Sequence, residues 1–254
     1  METVRPIAEF FLLSLSLGIG IFTYLVDTEK TGGGLMRVMA SVCGISSFLG
    51  GCFHIFSPAP QTSLYICYGL ATFAFFAIYL KHGDKKSLFM WAMYALHNLS
   101  LIVGLYFLTE TLTEFGFLLS STLFLGAVTF AMVKGHWYLV TPKLSELPLA
   151  KAVIFTWILL TIKVVITTIG YIQARDFFSS MTTMGGGYAF NWMMLLMRIV
   201  WGYVIILIMS YYGWRLVRMR SIQSATGIFY AMVIFVFIGE LISSYLFFKH
   251  GLYI

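Results

Sequence analysis

The chain has 254 residues, 60% of them hydrophobic and only 10% charged, with a formal net charge of +6 and a mean hydropathy of +0.90. An average soluble domain carries about 25% charged residues, so this chain cannot cover a water-facing surface and its solvent must be lipid. The positive charge does not indicate nucleic acid, because the basic residues form no run interleaved with exposed aromatics and lie instead in short separators between apolar segments.

About twenty apolar residues are needed to cross a hydrocarbon core as a helix. Eight segments meet that test in chain order: 5–26, 34–56, 62–81, 87–109, 114–134, 151–172, 190–213 and 226–248. The apolar run of the first begins near Pro6 with only Arg5 as a basic residue ahead of it and ends in "DTEKTGGG" without a small-residue cleavage pattern, so this segment reads as a spanning helix, not a cleaved signal. The separators "TGGG", "SPAPQTS", "KHGDKKS", "TETLTE", "TPKLSELP", "MTTMGGG" and "RMRSIQSATG" carry turn and breaker residues. "HWYLV" can extend the fifth helix as far as Thr141. "MTTMGGGYAF" has three glycines, enough for a lid or for a slack connector. Short loops make consecutive helices antiparallel neighbours. The expected fold is therefore all-α: one polytopic membrane bundle over 1–254 with eight transmembrane helices.

Counting Lys and Arg in the loops sets an expected orientation. One side receives Lys30, Arg37, Lys81, Lys85, Lys86, Lys134, Lys143, Lys151, Arg215, Arg218 and Arg220; the other receives Arg5, Arg175 and Lys249. Both termini are expected on the non-cytoplasmic side, and short loops in a small chain suit a bacterial or archaeal plasma membrane. The first and last four segments show no convincing repeat, so an inverted-repeat transporter has no support.

Three charged residues interrupt the late segments: Lys163 in "LLTIKVVITT", Arg198 in the seventh and Glu240 in the eighth. Each costs at least about 2.5–3.5 kcal/mol near the bilayer centre on insertion scales. At a rise of about 1.5 Å per residue they fall about 18, 22 and 21 Å from one membrane side, in one layer. Thr156, Thr167 and Gly170 share a stripe with Lys163, Asn191 and Gly202 share one with Arg198, and Ser243 and Ser244 follow Glu240. Small and hydroxyl side chains mark faces packed on protein. The expected ligand or ion site is Lys163, Arg198, Glu240, Thr167 and Asn191. Lys163 is then neutralised by Glu240 or loses its proton. Two cations on one acid suit an anionic or carbonyl-bearing ligand. Glu9, near the outer surface, is a possible second carboxylate. The structural alternative is an Arg198–Glu240 pair that fixes packing while Lys163 snorkels.

His54, His97 and His136 are candidates for a haem, quinone or metal contact. They occupy three depths roughly 10 Å or more apart, which disfavours a bis-histidine haem b, for which two imidazoles face each other at one level. Haem b or quinone stays open and the sequence requires neither. "SSFLGGCFH" resembles the serine-then-histidine segment of metal-dependent membrane lipid hydrolases such as the alkaline ceramidases. The paired histidines of that family's last helix are absent here, so none of its residues is carried over. Cys43, Cys52 and Cys67 lack CxxC or metal-ligand spacing and read as small buried thiols. The 14 methionines fit a compliant core or a pocket for a flat apolar ligand.

The leading expectation is translocation of a small solute or ion, with proton coupling, through the mid-membrane polar layer. The alternatives are a haem- or quinone-binding electron-transfer subunit, a lipid-modifying enzyme, and an assembly or scaffold subunit. Expected partners are membrane lipid, the solute or ion, and other membrane subunits. No GxSxG, HExxH, P-loop or dinucleotide motif is present, so an enzymatic role is undetermined.

Overall fold

The computed structural model describes residues 3–57, 59–81, 87–141, 144–179 and 187–254. The described residues are helical, with no strand among them. In chain order the elements are α1 (Val4–Thr23), α2 (Thr28–Thr31), α3 (Gly33–Ile55), α4 (Thr62–Lys81), α5 (Leu88–Phe107), α6 (Leu112–Val140), α7 (Leu147–Gln173), α8 (Arg175–Ser179), α9 (Gly187–Ile199), a π-helical turn (Val200–Val204), α10 (Ile205–Arg218) and α11 (Ile222–His250). Because α9, the π turn and α10 run on continuously, eight helices are long and apolar enough to cross a membrane. The chain is a multi-pass membrane protein.

Helix starts follow ordinary end chemistry. Side-chain oxygens of Asp27, Ser87 and Thr111 accept the N–H groups of Lys30, Met90 and Glu114, which the first turn of a helix leaves unbonded. Glu114 reaches back to accept the N–H of Glu110 at 2.8 Å. Pro148 occupies the first turn of α7, where its missing N–H costs nothing. Gly251 ends α11 at φ 67°, a left-handed conformation that glycine adopts without strain.

Several helices outrun their apolar stretches. α6 continues to Val140, α7 begins at Leu147, the seventh span covers Ala189–Arg218, and α11 covers Ile222–His250. Polar residues at these ends remain helical, so hydrophobicity alone marks only the middle of each helix. Lys134 stays buried over the Phe130 ring, 5.2 Å from its centroid. The short α2 within "DTEKTGGG" and α8 after the sixth span are additions to the expected element order. The glycines of the proposed lid in "MTTMGGGYAF" lie at the edge of or outside the described residues, as do Lys85, Lys86 and Lys143.

α1, α6 and α11 form the centre of the bundle. α1 packs on α3, α5, α6 and α11, and α6 packs on α7 and α11 as well. Two glycine contacts set this closeness. A Cβ on Gly18 would lie 2.6 Å from the Thr122 carbonyl oxygen and 2.7 Å from Gly126 Cα. A Cβ on Gly239 would lie 2.7 Å from Gly202 Cα. Backbone against backbone is the packing that small residues permit between membrane helices. Phe48, Phe73, Phe76, Val165, Leu207 and Ile208 project outward, as suits a surface solvated by acyl chains. The rings of Phe10 and Phe248, 5.9 Å apart, put the start of α1 and the end of α11 at the same end of the bundle.

Candidate functional site

The polar stripe of α7 faces inward: Thr156, Lys163, Thr167 and Gly170 are all buried. Arg198 ends α9 and Glu240 lies midway along α11, and the Gly202–Gly239 contact draws those two elements together. The structure therefore brings Lys163, Arg198 and Glu240 together. Lys163 and Arg198 are each 0% exposed and Glu240 is 2% exposed, so none of the three reaches lipid or water.

Arg198 Nη1 donates to Glu240 Oε1 at 2.9 Å. Lys163 Nζ lies 3.9 Å from Glu240 Oε2, beyond hydrogen-bond reach. It donates instead to Ser121 Oγ of α6 at 2.7 Å and sits over the Phe117 ring, 4.3 Å from its centroid. Arg198 Cζ lies 4.5 Å over the Tyr203 ring, and the Tyr203 hydroxyl meets Thr167 Oγ1 at 2.5 Å. Among the described residues Arg198 Nε and Nη2 and Glu240 Oε2 have no well-aligned hydrogen-bond partner, although the Ser121 hydroxyl acts on Glu240 and the Tyr203 hydroxyl on Arg198. The snorkelling alternative thus fails for Lys163: its ammonium turns inward to a hydroxyl, a ring face and a carboxylate.

The charge balance follows. One carboxylate stands between two basic groups, with one strong bond to Arg198 and a looser contact with Lys163. Buried polar atoms are normally hydrogen-bonded. Here two donors of Arg198 and one acceptor of Glu240 lack a well-aligned partner among the described residues. A small anion has donors to meet on Arg198, and a proton has an acceptor in Glu240 Oε2.

Beside the cluster lies a cavity of about 340 Å³ between α7 and the seventh span. Thr167, Tyr171, Trp192, Leu195 and Tyr203 line it. Thr167 and Tyr203, hydrogen-bonded to each other, both line it, and Tyr203 also carries Arg198 on its ring. Tyr203 lies within the π turn, and such turns recur at functional sites in helices. Asn191, seven residues before Arg198, is only partly buried and stands two turns from the ion pair.

Ser121, Phe117 and Tyr203 were not singled out from sequence. The first two come from the fifth span, where "LLSSTLFL" places hydroxyls inside an apolar run. That polar interruption was the available signal for Ser121. Nothing in sequence distinguishes Phe117 or Tyr203 from the many other aromatics.

The histidines separate. His97 is fully buried, with Nε2 3.1 Å from Ser16 Oγ and Nδ1 3.1 Å from the Ala71 carbonyl oxygen. His136 Nδ1 meets the Tyr230 hydroxyl at 2.9 Å. His54 lies at the end of α3 beside Glu9 and Tyr68. Glu9, raised as a second carboxylate for the Lys163 layer, is thus engaged elsewhere. Cys43, Cys52 and Cys67 are free thiols. No group of three His, Cys, Asp or Glu side chains among the described residues is placed to hold a metal ion.

The fold and the buried charges define an eight-span helical membrane protein with an ion-pair cluster in its interior. No family model, curated protein or solved structure matches the chain.

Proposed function

We propose that this protein moves a small solute or ion across the membrane in a proton-coupled step, with Lys163, Arg198 and Glu240 as its mid-membrane site. The supporting observation is the uneven sharing of Glu240: Oε1 bonds Arg198 at 2.9 Å, while Oε2 is 3.9 Å from Lys163, beyond a direct hydrogen bond. A purely structural pair gains nothing from a second buried base. A carboxylate between two bases can exchange one partner for a proton or an arriving anion without being left alone in an apolar interior. Buried ionisable groups in membrane helices commonly mark substrate and proton pathways. Tyr203 both lines the neighbouring cavity and carries Arg198 on its ring, so it links the cavity to the cluster. Asn191 stands farther along α9, where a solute would pass before reaching Arg198. The excess of Lys and Arg in the loops at one end supports an orientation with both termini outside the cytoplasm, in a bacterial or archaeal plasma membrane.

Proton flux tests this reading. The chain is reconstituted into liposomes holding a pH-sensitive dye, and a potassium diffusion potential is imposed in chloride and in gluconate media. The parent is expected to carry protons above the lipid background, and Lys163→Met and Glu240→Gln to abolish that flux while still inserting and remaining monodisperse. Parent-level flux in either variant removes the site.

A second reading has one specific observation in its favour. The cavity beside Tyr203 presents Tyr171, Trp192 and Tyr203, which suits a flat apolar ring such as a quinone as part of an electron-transfer subunit. Bound quinone in an organic extract of the purified protein, lost in Trp192→Leu, would favour it. A haem-type absorption band would favour the electron-transfer class more broadly.

A further inference from the structure

A second buried acid sits at the end of the bundle that holds the start of α1. Glu9 is 4% and His54 3% exposed, and they come from α1 and the last turn of α3. His54 Nδ1 is 3.0 Å from Glu9 Oε1, close enough for charge attraction although the ring N–H is off the line to the oxygen. Tyr68 of α4 donates to the same Oε1 at 3.3 Å.

The other ring nitrogen carries the inference. The Gln61 backbone N–H points at His54 Nε2 at 3.0 Å. A backbone N–H can only donate, so Nε2 accepts and the ring proton sits on Nδ1, facing Glu9. The same Nε2 is also 3.3 Å from the Gln61 carbonyl oxygen, which can only accept. One backbone residue thus offers Nε2 a donor for the neutral ring and an acceptor for the charged ring. Glu9 supplies the countercharge in the second case. Ala59, Pro60 and Gln61 are exposed, so the ring is one residue from the bundle surface. The other titratable or charged groups around the pair are Arg5 on α1, whose charge acts on Glu9, and Tyr65 and Tyr68 on α4. The Tyr65 ring stands edge-on to His54 at 4.9 Å, and Cys67 lies behind Tyr68.

We propose that Glu9 and His54 form a proton-binding site at this end of the bundle, loaded on His54 Nε2. The proton comes from bulk water and adds to the Nε2 lone pair. The Gln61 N–H to Nε2 bond breaks, an Nε2–H bond to the Gln61 carbonyl forms, and the imidazolium becomes the ion partner of Glu9. No other bond changes. The α3–α4 connection therefore registers the proton through one residue. The site stands apart from the Lys163 cluster and does not depend on its role.

Nuclear magnetic resonance of the full chain in nanodiscs, with histidine ring nitrogens labelled and His54 assigned by His54→Gln, tests the proposal without a flux measurement. On acidification, His54 is expected to pass from the Nδ1–H form to the doubly protonated form. The Gln61 amide signal is expected to move with the same midpoint. Glu9→Gln removes the countercharge and is expected to weaken proton binding about tenfold or more. Tyr68→Phe retains the carboxylate and is expected to keep the titration, which covers the case in which Glu9→Gln does not fold. A His54 signal that stays constant on acidification in the parent overturns the site. So does an unchanged midpoint in a folded Glu9→Gln variant, or a Gln61 amide that ignores the His54 transition in Tyr68→Phe.

Discussion

Arg198 and Glu240 meet through one hydrogen bond, Nη1 to Oε1 at 2.9 Å, although a guanidinium and a carboxylate can form two in parallel. The second oxygen is turned toward Lys163. The three side chains therefore do not contribute alike to stability. Removing one partner of a buried pair leaves an uncompensated charge and costs about 3–5 kcal/mol. Glu240→Ala, which strands both bases, is expected to lower stability by that order. Lys163→Met leaves the Arg198–Glu240 pair whole and removes the surplus base. It is expected to lie within about 1 kcal/mol of the parent or to be more stable. Equilibrium unfolding in mixed micelles ranks the two variants, and equal losses would contradict this division of roles.

The close approach of Gly202 and Gly239 is what lets Arg198 reach α11. A Cβ on Gly239 would stand 2.7 Å from Gly202 Cα and 3.2 Å from Arg198 Nη1. The first neighbour is backbone and cannot rotate away. Gly239→Ala is expected to push α11 off the π turn, at about 1–3 kcal/mol for overpacking. Gly227, on the same helix, has nothing within 4 Å of an added Cβ. Gly227→Ala removes a flexible residue from a helix and is expected to be neutral or to stabilise by up to about 1 kcal/mol. Thermal unfolding of the two variants side by side checks the contrast.

Much of this arrangement was legible in the sequence, for identifiable reasons. Lys163, Arg198 and Glu240 stand out because charge in an apolar run is costly, and a constant rise per residue puts them at one depth. The stripe Thr156–Lys163–Thr167–Gly170 gave the inward face of α7. Helix ends were less legible, since Lys134, Arg215 and Arg218 lie on helices that continue past the apolar core. Neighbour relations across the bundle were not legible at all. Glu9 could be placed by depth near the outer surface, but not beside His54, because depth says nothing of azimuth. Ser121 escaped for a similar reason: serine is common in membrane helices, and only the fold reveals which one meets an ammonium group.

The residues after α11 fold back against the bundle. Ile254 is fully buried and accepts a hydrogen bond from Ser243. Tyr253 packs its ring on Phe117 and Phe247, 5.6 and 5.8 Å away. Its carbonyl oxygen would lie 2.1 Å from a Cβ on Gly170. Gly170→Val should therefore displace Tyr253 and free one side of Phe117, whose ring carries Lys163. Tyr253→Ala removes the same packing by a different route. Tyr253 is only half-buried, so its truncation is expected to cost less than the roughly 3–5 kcal/mol of a fully buried aromatic. Because both changes act on one contact, the double variant is expected to be less destabilised than the sum of the singles. A double-mutant cycle measures that coupling, and strict additivity would show that the segment does not seat on Gly170.

At the opposite end, Glu146 begins α7 and Arg220 Nη2 lies 3.5 Å from its Oε2. The Glu146 carboxyl is held below the usual glutamate range, first by its own backbone N–H and then by Arg220 and Arg218. A depressed folded-state value means that this stabilisation is present above the unfolded value, about 4.3, and is lost as pH falls through the lower folded value. The local effect at the start of α7 is therefore constant at neutral pH and disappears only in acid. Because the side chains are solvated, added salt is expected to weaken it. Hydrogen exchange of the Leu147, Leu149 and Ala150 amides checks both points. Opening should rise below about pH 4 in the parent, rise modestly with salt at neutral pH, and lose both responses in Glu146→Gln. An acid response that survives in Glu146→Gln would assign it to another carboxylate, with Asp27, paired to Lys30 at 2.8 Å, the next to replace.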